Sequence, residues 1–399
     1  MILELLIPII LGIFAGIFTG LMPGIHINLI SMMLLLYYNK ISSFFEPLPI
    51  ASFIVSMSIT HSFLDFIPSI FLSAPNSQTA LSVMPGHKLL LNGKGYAATM
   101  LAVKGCFVGV ILLIITTPIF IFSMPLIYDF IKRFMAPILI GSVVFLILGE
   151  RKIIWASLLF IISGLLGVIS FNMQINEPLF PLLTGLFGTS MLVASISEKT
   201  KVPSQKISTI RLSIKEVFKS SFSGVIGSSL CSFLPGLGAS QAAVIASDIN
   251  GKTNSKSFLF LIGLISTLVT GLNFVAIYAI NKPRSGVAIA VSKIVPSLGI
   301  FQLEVLLASC FISAVISFYL AIYFSKIFAR NISKIEYSSI SKSILIFLIL
   351  MTFLISGLEG IIILITGTII GVLAIKQGIR KMHLMGCIML PVITYFLSN

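Results

Sequence analysis

Charge is the scarcest commodity in this chain. Only 10% of its 399 residues are Asp, Glu, Lys or Arg, against roughly 25% in an ordinary soluble domain. Acids number 12, and they are dispersed, which leaves no paired carboxylates for acid–base chemistry. The four cysteines, Cys106, Cys231, Cys310 and Cys387, stand apart in apolar segments with no C-x-x-C spacing. They read as buried thiols, and neither a disulfide framework nor a metal site is expected. A phosphate-cradling glycine loop is also missing, so nothing points to a nucleotide or to any other cofactor. These absences argue against an enzyme and against ATP coupling.

What fills the space is hydrocarbon: 57% of the residues are hydrophobic and the mean hydropathy is +1.12. A membrane span needs roughly 20 apolar residues, and about ten to twelve apolar segments recur along the chain, some too short to cross alone. The expected fold is therefore an all-α integral membrane protein, multi-pass in the cell membrane. The first apolar helix lacks a basic n-region and a small-residue cleavage site, so it reads as a retained span. The net charge of +14 does not imply nucleic acid, because Lys and Arg gather in the gaps between apolar segments, as cytoplasmic loops do. From Ile153 to Glu198 there is no Lys or Arg, whereas Ser197 to Ser220 holds Lys199, Lys201, Lys206, Arg211, Lys215 and Lys219. That loop is placed in the cytoplasm, beside the lipid headgroups. The turn near Asn172 to Glu177 is placed outside. Lys132 and Arg133 fit this scheme only if the short segment Ala136–Leu148 stops before crossing.

The strongest pattern is a repeat. Gly12 to Asn28, GIFAGIFTGLMPGIHIN, returns 212 positions later as Gly224 to Ser240, GVIGSSLCSFLPGLGAS. Pro235-Gly236 repeats Pro23-Gly24, while Ser228 and Ser232 replace Gly16 and Gly20. A second block, Pro75 to Ala80, matches Pro283 to Ala288 at an offset of 208, and that offset also pairs Asp65 with Asn273. Each half reads as a small-residue helix, a Pro-Gly break, a polar-bearing span and a P-x-S-x-x-A re-entrant turn. Irregular backbone at membrane depth is tolerated only inside protein or facing a cavity. We therefore expect two homologous repeats in inverted orientation: residues 1–196 with extra spans, then a basic loop over 197–220. The second repeat is expected over 221–325 and a C-terminal hairpin with a last apolar segment over 326–399, the hairpin turning near Gly357 to Gly360.

Paired broken helices in secondary transporters bring half-helix ends to the bilayer midplane, where substrates bind between repeats. Half-helix N-termini favour anions. The candidate substrate-binding residues are Pro23, Gly24, His26 and Asn28 from the first break, and Pro235, Gly236, Gly238, Ser240 and Gln241 from the second. Asn76, Ser77, Gln78 and Thr79, with Arg284 and Ser285, would join them from the re-entrant turns. Asp65, with His61 one turn earlier and Asn273 in the other half, is the candidate coupling-ion group. It reads equally as a structural carboxylate held by His61, since an intramembrane acid needs a partner or a function. The Gly12/Gly16/Gly20 face reads as packing.

These motifs resemble the large membrane subunit of the tripartite tricarboxylate transporter family, and its shorter archaeal-type members most. The resemblance is carried by GIFTGLMPGIHINL, by APNSQTALSVMPGHKLLLNGKGYAA and by SFLPGLGASQAAVIAS, and covers most of the chain. It implies a permease for a small organic anion such as a di- or tricarboxylate, driven by a proton or cation gradient. A small membrane subunit and an extracytoplasmic binding protein are the partners it implies. The paired Pro-Gly breaks are also similar in architecture to undecaprenyl-phosphate translocases, which supplies the alternative of carrying a polyprenyl-phosphate lipid across the bilayer.

Overall fold

In the computed structural model, residues 2–22, 27–72, 79–131, 134–175, 177–197, 202–233, 238–251, 254–334 and 337–398 are described. Among them every regular element is helical. The chain runs α1 (Ile2–Leu21), α2 (Ile27–Leu36), α3 (Tyr38–Ile41), α4 (Pro47–Leu64), α5 (Phe66–Phe71), α6 (Val83–Leu91) and α7 (Gly95–Ile131). Then come α8 (Met135–Leu148), α9 (Ile153–Asn172), α10 (Leu179–Leu183), a π-helical segment over Thr184–Thr189, and α11 (Ser190–Ser197). The second half is α12 (Ile214–Phe233), α13 (Ala239–Asn250), α14 (Ser255–Ile280), α15 (Gly286–Ile294) and α16 (Ile300–Asn331). Last are α17 (Tyr337–Gln377) and α18 (Gly386–Ser398). Among the described residues, eight helices are long and apolar enough to cross a membrane, and α8 is a shorter apolar helix.

Local chemistry sets where these helices begin and end. Pro47 stands in the first turn of α4, where its missing N–H costs nothing. Asn254 caps α14, its side chain accepting from the N–H of Lys256 at 3.0 Å and of Ser257 at 2.9 Å. Asn281 closes α14 in the left-handed region with φ 50°. Within α17, Gly357 leaves the helix at φ 67°. Beyond it the chain doubles back: a Cβ on Gly360 would meet Thr352 Cγ2 at 3.4 Å. Eight residues of straight helix would separate those positions by about 12 Å. The hairpin expected around Gly357 is therefore present.

The relative directions of the long helices follow from their contacts. Gly12, Gly16 and Gly20 lie against Ser56, Met57 and Leu64 in turn, so α1 and α4 run parallel. On α16, Ser317 Oγ donates to Thr60 Oγ1 at 2.9 Å, and Phe328 stacks at 5.9 Å on Phe71. That makes α16 parallel to α4. Gly105, Gly109 and Leu113 of α7 meet Phe260, Leu264 and Gly271 of α14 in the same order, a second parallel pair. Between the pairs the sense reverses. Gly95 sits by Phe71 while Cys106 Sγ reaches Ser62 O at 3.7 Å, which makes α7 antiparallel to α4. Consequently α4 and α14 point in opposite directions. In the second half, α13 folds back on α12: Gly227 faces Ala242 and Ala246, and Lys219 Nζ donates to Asn250 O at 3.2 Å.

Two hydrophobic cores result. The larger joins α4–α7 with α13–α16. The smaller unites α9, α10 and the π-helical segment with α17 and α18. Helix approach in lipid depends on small residues, because hydrocarbon offers no hydrophobic drive between helices. The α7–α14 contact is the tightest instance: Gly105 lies against the Phe260 carbonyl, and Gly263 against that of Ala102. Both obstacles are backbone and cannot swing aside. Gly263→Val is expected to cost roughly 3 kcal/mol or more by overpacking, read as a clear fall in the melting temperature of the detergent-solubilised protein. An unchanged melting temperature would contradict this packing.

The start of α12 is tied to that of α14 through Glu216. Its carboxylate accepts from Ser213 N and Oγ, both at 2.8 Å, from Asn254 Nδ2 at 3.0 Å and from Ser257 Oγ at 3.1 Å. The bonds from Ser213 first, then the one from Asn254, hold its pKa down to about 2, from an ordinary 4.5. A depressed carboxylate contributes stability above its unfolded pKa that is lost as pH falls through the folded one. The thermal stability of Glu216→Gln should thus lie below wild type at pH 6 and converge with it as pH falls from about 4.5 toward 2. A constant gap across that window would refute the assignment.

Candidate functional site

The candidate residues fall into two described clusters. Pro23, Gly24, His26, Asn76, Ser77, Gln78, Pro235 and Gly236 lie outside the described residues, as does the side chain of Gln241. Gly238 and Ser240 begin α13, and Ser240 is buried.

One cluster forms at the N-terminus of α15, where free N–H groups and the helix dipole favour negative charge. Ser285 is the N-cap, its Oγ accepting from Ala288 N at 3.2 Å. Asn28, from the first turn of α2, accepts from Val287 N at 3.2 Å. The first break and the second re-entrant block, 259 residues apart in sequence, thus meet directly. Gly286 permits the approach, because a Cβ there would stand 2.8 Å from that of Asn28. Arg284 precedes the cap. Its Cζ lies 5.2 Å from the centroid of the Tyr128 ring, at the far end of α7. Its Nε and Nη2 are buried and meet no hydrogen-bond acceptor among the described residues. A planar fork of donors is the geometry that binds a carboxylate or phosphate bidentately.

The other cluster surrounds Asp65, at the joint between α4 and α5. Thr79 Oγ1 donates to Asp65 Oδ2 at 2.8 Å and lies 2.6 Å from Ser69 Oγ. Asp65, Ser69 and Thr79 are all buried, as is His61 one turn earlier. Thr79 had been grouped with the substrate residues on sequence; the fold brings it to the carboxylate. Asn273, the counterpart of Asp65, is buried in α14. Of the two carriers of the 208-residue offset, Asp65 stands at the end of α4 and Asn273 lies within α14, which runs in the opposite direction.

Outside these clusters, Glu150 pairs with Arg380 and His383. Burial alone would raise its pKa, but hydrogen bonds and charge from Arg380, then His383, hold it below the ordinary value. Sequence gave no signal for this, since the partners are 230 and 233 residues away. Among the described residues no group of His, Cys, Asp and Glu could hold a metal ion.

The sequence profile of the tripartite tricarboxylate transporter TctA family matches residues 6–386, nearly the whole chain. The chain belongs to that family. It is also 32% identical over 389 residues to an uncharacterized protein of Methanocaldococcus jannaschii, with 94% of this chain and 95% of that one covered. No solved structure matches it. As a TctA-family protein with eight candidate spans among its described residues, it is a multi-pass membrane protein and a transporter subunit rather than an enzyme. The family does not favour the polyprenyl-phosphate alternative.

The Asp65 cluster makes a separable prediction. Thr79→Val keeps the shape and deletes the donor, leaving a buried acceptor unsatisfied at a cost of roughly 1–3 kcal/mol. Thr79→Ser should restore most of the loss. The melting temperatures of the two variants decide it: equal values would mean that the hydroxyl does not serve Asp65.

Proposed function

We propose that this chain is the permease of a secondary transport system that carries a small organic anion, such as a di- or tricarboxylate, coupled to a proton or cation gradient. One observation carries the proposal: a half-buried arginine whose buried Nε and Nη2 meet no acceptor among the described residues stands just before the capped N-terminus of α15, and both halves of the chain build that place. A buried cation lacking an acceptor is costly, and a visiting carboxylate would supply what it lacks. Asn28, Ser285 and the α15 N-terminus add neutral donors and dipole. In this reading Asp65 serves as the coupling group, with Thr79 and Ser69 orienting its carboxylate and His61 one turn earlier; Asn273, its counterpart in the other half, lies further along α14, beyond the level where Gly263 meets Ala102.

The opposite senses of α4 and α14, and the matching pairs α1–α4 and α12–α14, support an inverted repeat. The folding of α13 back on α12 supports a re-entrant hairpin after the second Pro-Gly. Residues 1–196 and 221–325 are accordingly read as the two repeats, linked by the basic loop 197–220 and followed by the C-terminal 326–399. Alternating access would rock one half against the other. A small membrane subunit and an extracytoplasmic binding protein are the proposed partners, as the family name's three-part system implies.

Membrane vesicles from a native host that lacks or expresses the protein would provide the test. Uptake of labelled citrate and succinate should depend on the protein and on an imposed proton or sodium gradient. Arg284→Ala should reduce it more than tenfold. Arg284→Lys should fall between, since an ammonium cannot reproduce the bidentate fork. Wild-type uptake by Arg284→Ala would sink the site. Transbilayer movement of labelled polyprenyl phosphate, with no carboxylate uptake, would sink the substrate class.

A further inference from the structure

A buried cation lies far along the chain from Arg284. Lys381 follows the α17 hairpin, and its side chain is only 7% exposed. Its Nζ donates to Phe187 O at 3.0 Å and to Ser190 Oγ at 2.9 Å, at the end of the π-helical segment. Both acceptors are neutral, and an ammonium has three donors. Among the described residues no carboxylate stands within ion-pair distance of it. Arg380, beside it, is already engaged by Glu150 and by Gly149 O at 2.9 Å.

Lys381 helps line a cavity of about 180 Å³, whose other walls include Leu81, Val244, Ser247, Asp248 and Arg380. A single water needs only ~10–15 Å³ of probe-occupied space, so the cavity has room for a small solute. Its position is informative. Leu81 and Val244 belong to segments that follow the two interrupted stretches, and Met382 packs against both. The cavity also opens toward the basic side of the protein. Asp248 lies two residues before Asn250, whose Nδ2 donates to Ser220 Oγ at 3.4 Å. The basic loop itself is pinned to the start of α7, where Gly95 N donates to Gln205 Oε1 at 2.8 Å. Asp248 is exposed at the mouth, where water and salt screen it. Lys381 is buried, where its charge is felt most. An ammonium there is costly without a counter-charge, so the deep end favours an anion that could pair with it.

We propose that this cavity is the cytoplasmic docking place of the transported anion, with Lys381 as its cation. The proposal rests on the anion-transport reading and extends it to a second station on the path. The Phe187 and Ser190 oxygens hold the ammonium in place and leave one N–H for a carboxylate.

The test reads local charge without knowledge of the substrate. Ser247→Cys introduces a thiol into the cavity wall, and the four native cysteines are buried. In inside-out vesicles, its labelling by an anionic methanethiosulfonate should be at least as fast as by a cationic one, and citrate should slow it. Adding Lys381→Gln should lower the anionic-to-cationic rate ratio at least fivefold. Ser190→Ala, which loosens the anchor but keeps the charge, should leave that ratio within twofold. Citrate uptake should fall about tenfold in Lys381→Gln and survive in Lys381→Arg, which also controls for folding. A ratio indifferent to Lys381, or no labelling by either reagent, overturns the docking place even if carboxylate uptake is found. A Lys381-dependent ratio without any carboxylate uptake leaves the anion site standing and removes the substrate class instead.

Discussion

A helix N-terminus leaves backbone N–H groups with no partner inside the helix, and in an apolar surrounding they must be met from elsewhere. At α15 the hydrogen bond from Val287 N to Asn28 Oδ1 meets one of them. The acceptor comes from 259 residues earlier in the chain, so the two stretches have to pack together. The packing of the long helices serves that requirement. Serine and threonine along α4 and α16, and glycine along α1, α7 and α14, remove the bulk that would keep the shielding helices apart. Without those close approaches the interrupted segments would face lipid with their polar backbone bare.

The same constraint explains where charge is allowed. Arg284 stacks on Tyr128, Asp65 is met by Thr79, and Lys381 is held by a carbonyl and a hydroxyl. Each sits beside a helix end or a distorted turn, where spare donors or acceptors exist, rather than on the smooth flank of a long helix. The Phe187 carbonyl that Lys381 uses lies in the π-helical segment Thr184–Thr189, a kind of distortion frequent at functional sites.

Much of this was legible in the residues. Apolar runs and the Gly357 turn gave the helices, since each rests on composition or on a local backbone preference. The repeat was legible because Pro-Gly and P-x-S-x-x-A recur in order, and it pointed to Arg284, Ser285 and Asn28 before any contact was known. Partnerships across long sequence separations were not. Nothing local marks Thr79 as the partner of Asp65, because 14 residues and a helix break intervene. Lys381 was counted as one more positive-inside charge, a rule that weighs loops and is blind to burial. The union of α9–α11 with α17 and α18 was hidden too, since their facing residues are as apolar as those that meet lipid.

Two cations with incomplete shells, the half-buried Arg284 and the buried Lys381, frame an energetic argument about the proposed transport. Neither can bind an anion too tightly, or the substrate would rest where it first landed. Arg284 presents a fork of two donors with no acceptor among the described residues, beside a helix N-terminus. Lys381 gives two N–H groups to neutral oxygens and keeps one spare, with Asp248 on the wall of the same cavity. The first is the stronger anion-binding arrangement and the second the weaker. Asp65, the proposed coupling group, stands at the joint between α4 and α5, and α4 packs against both α1 and α16. A change of charge at that carboxylate would act first on the helices gathered around this joint.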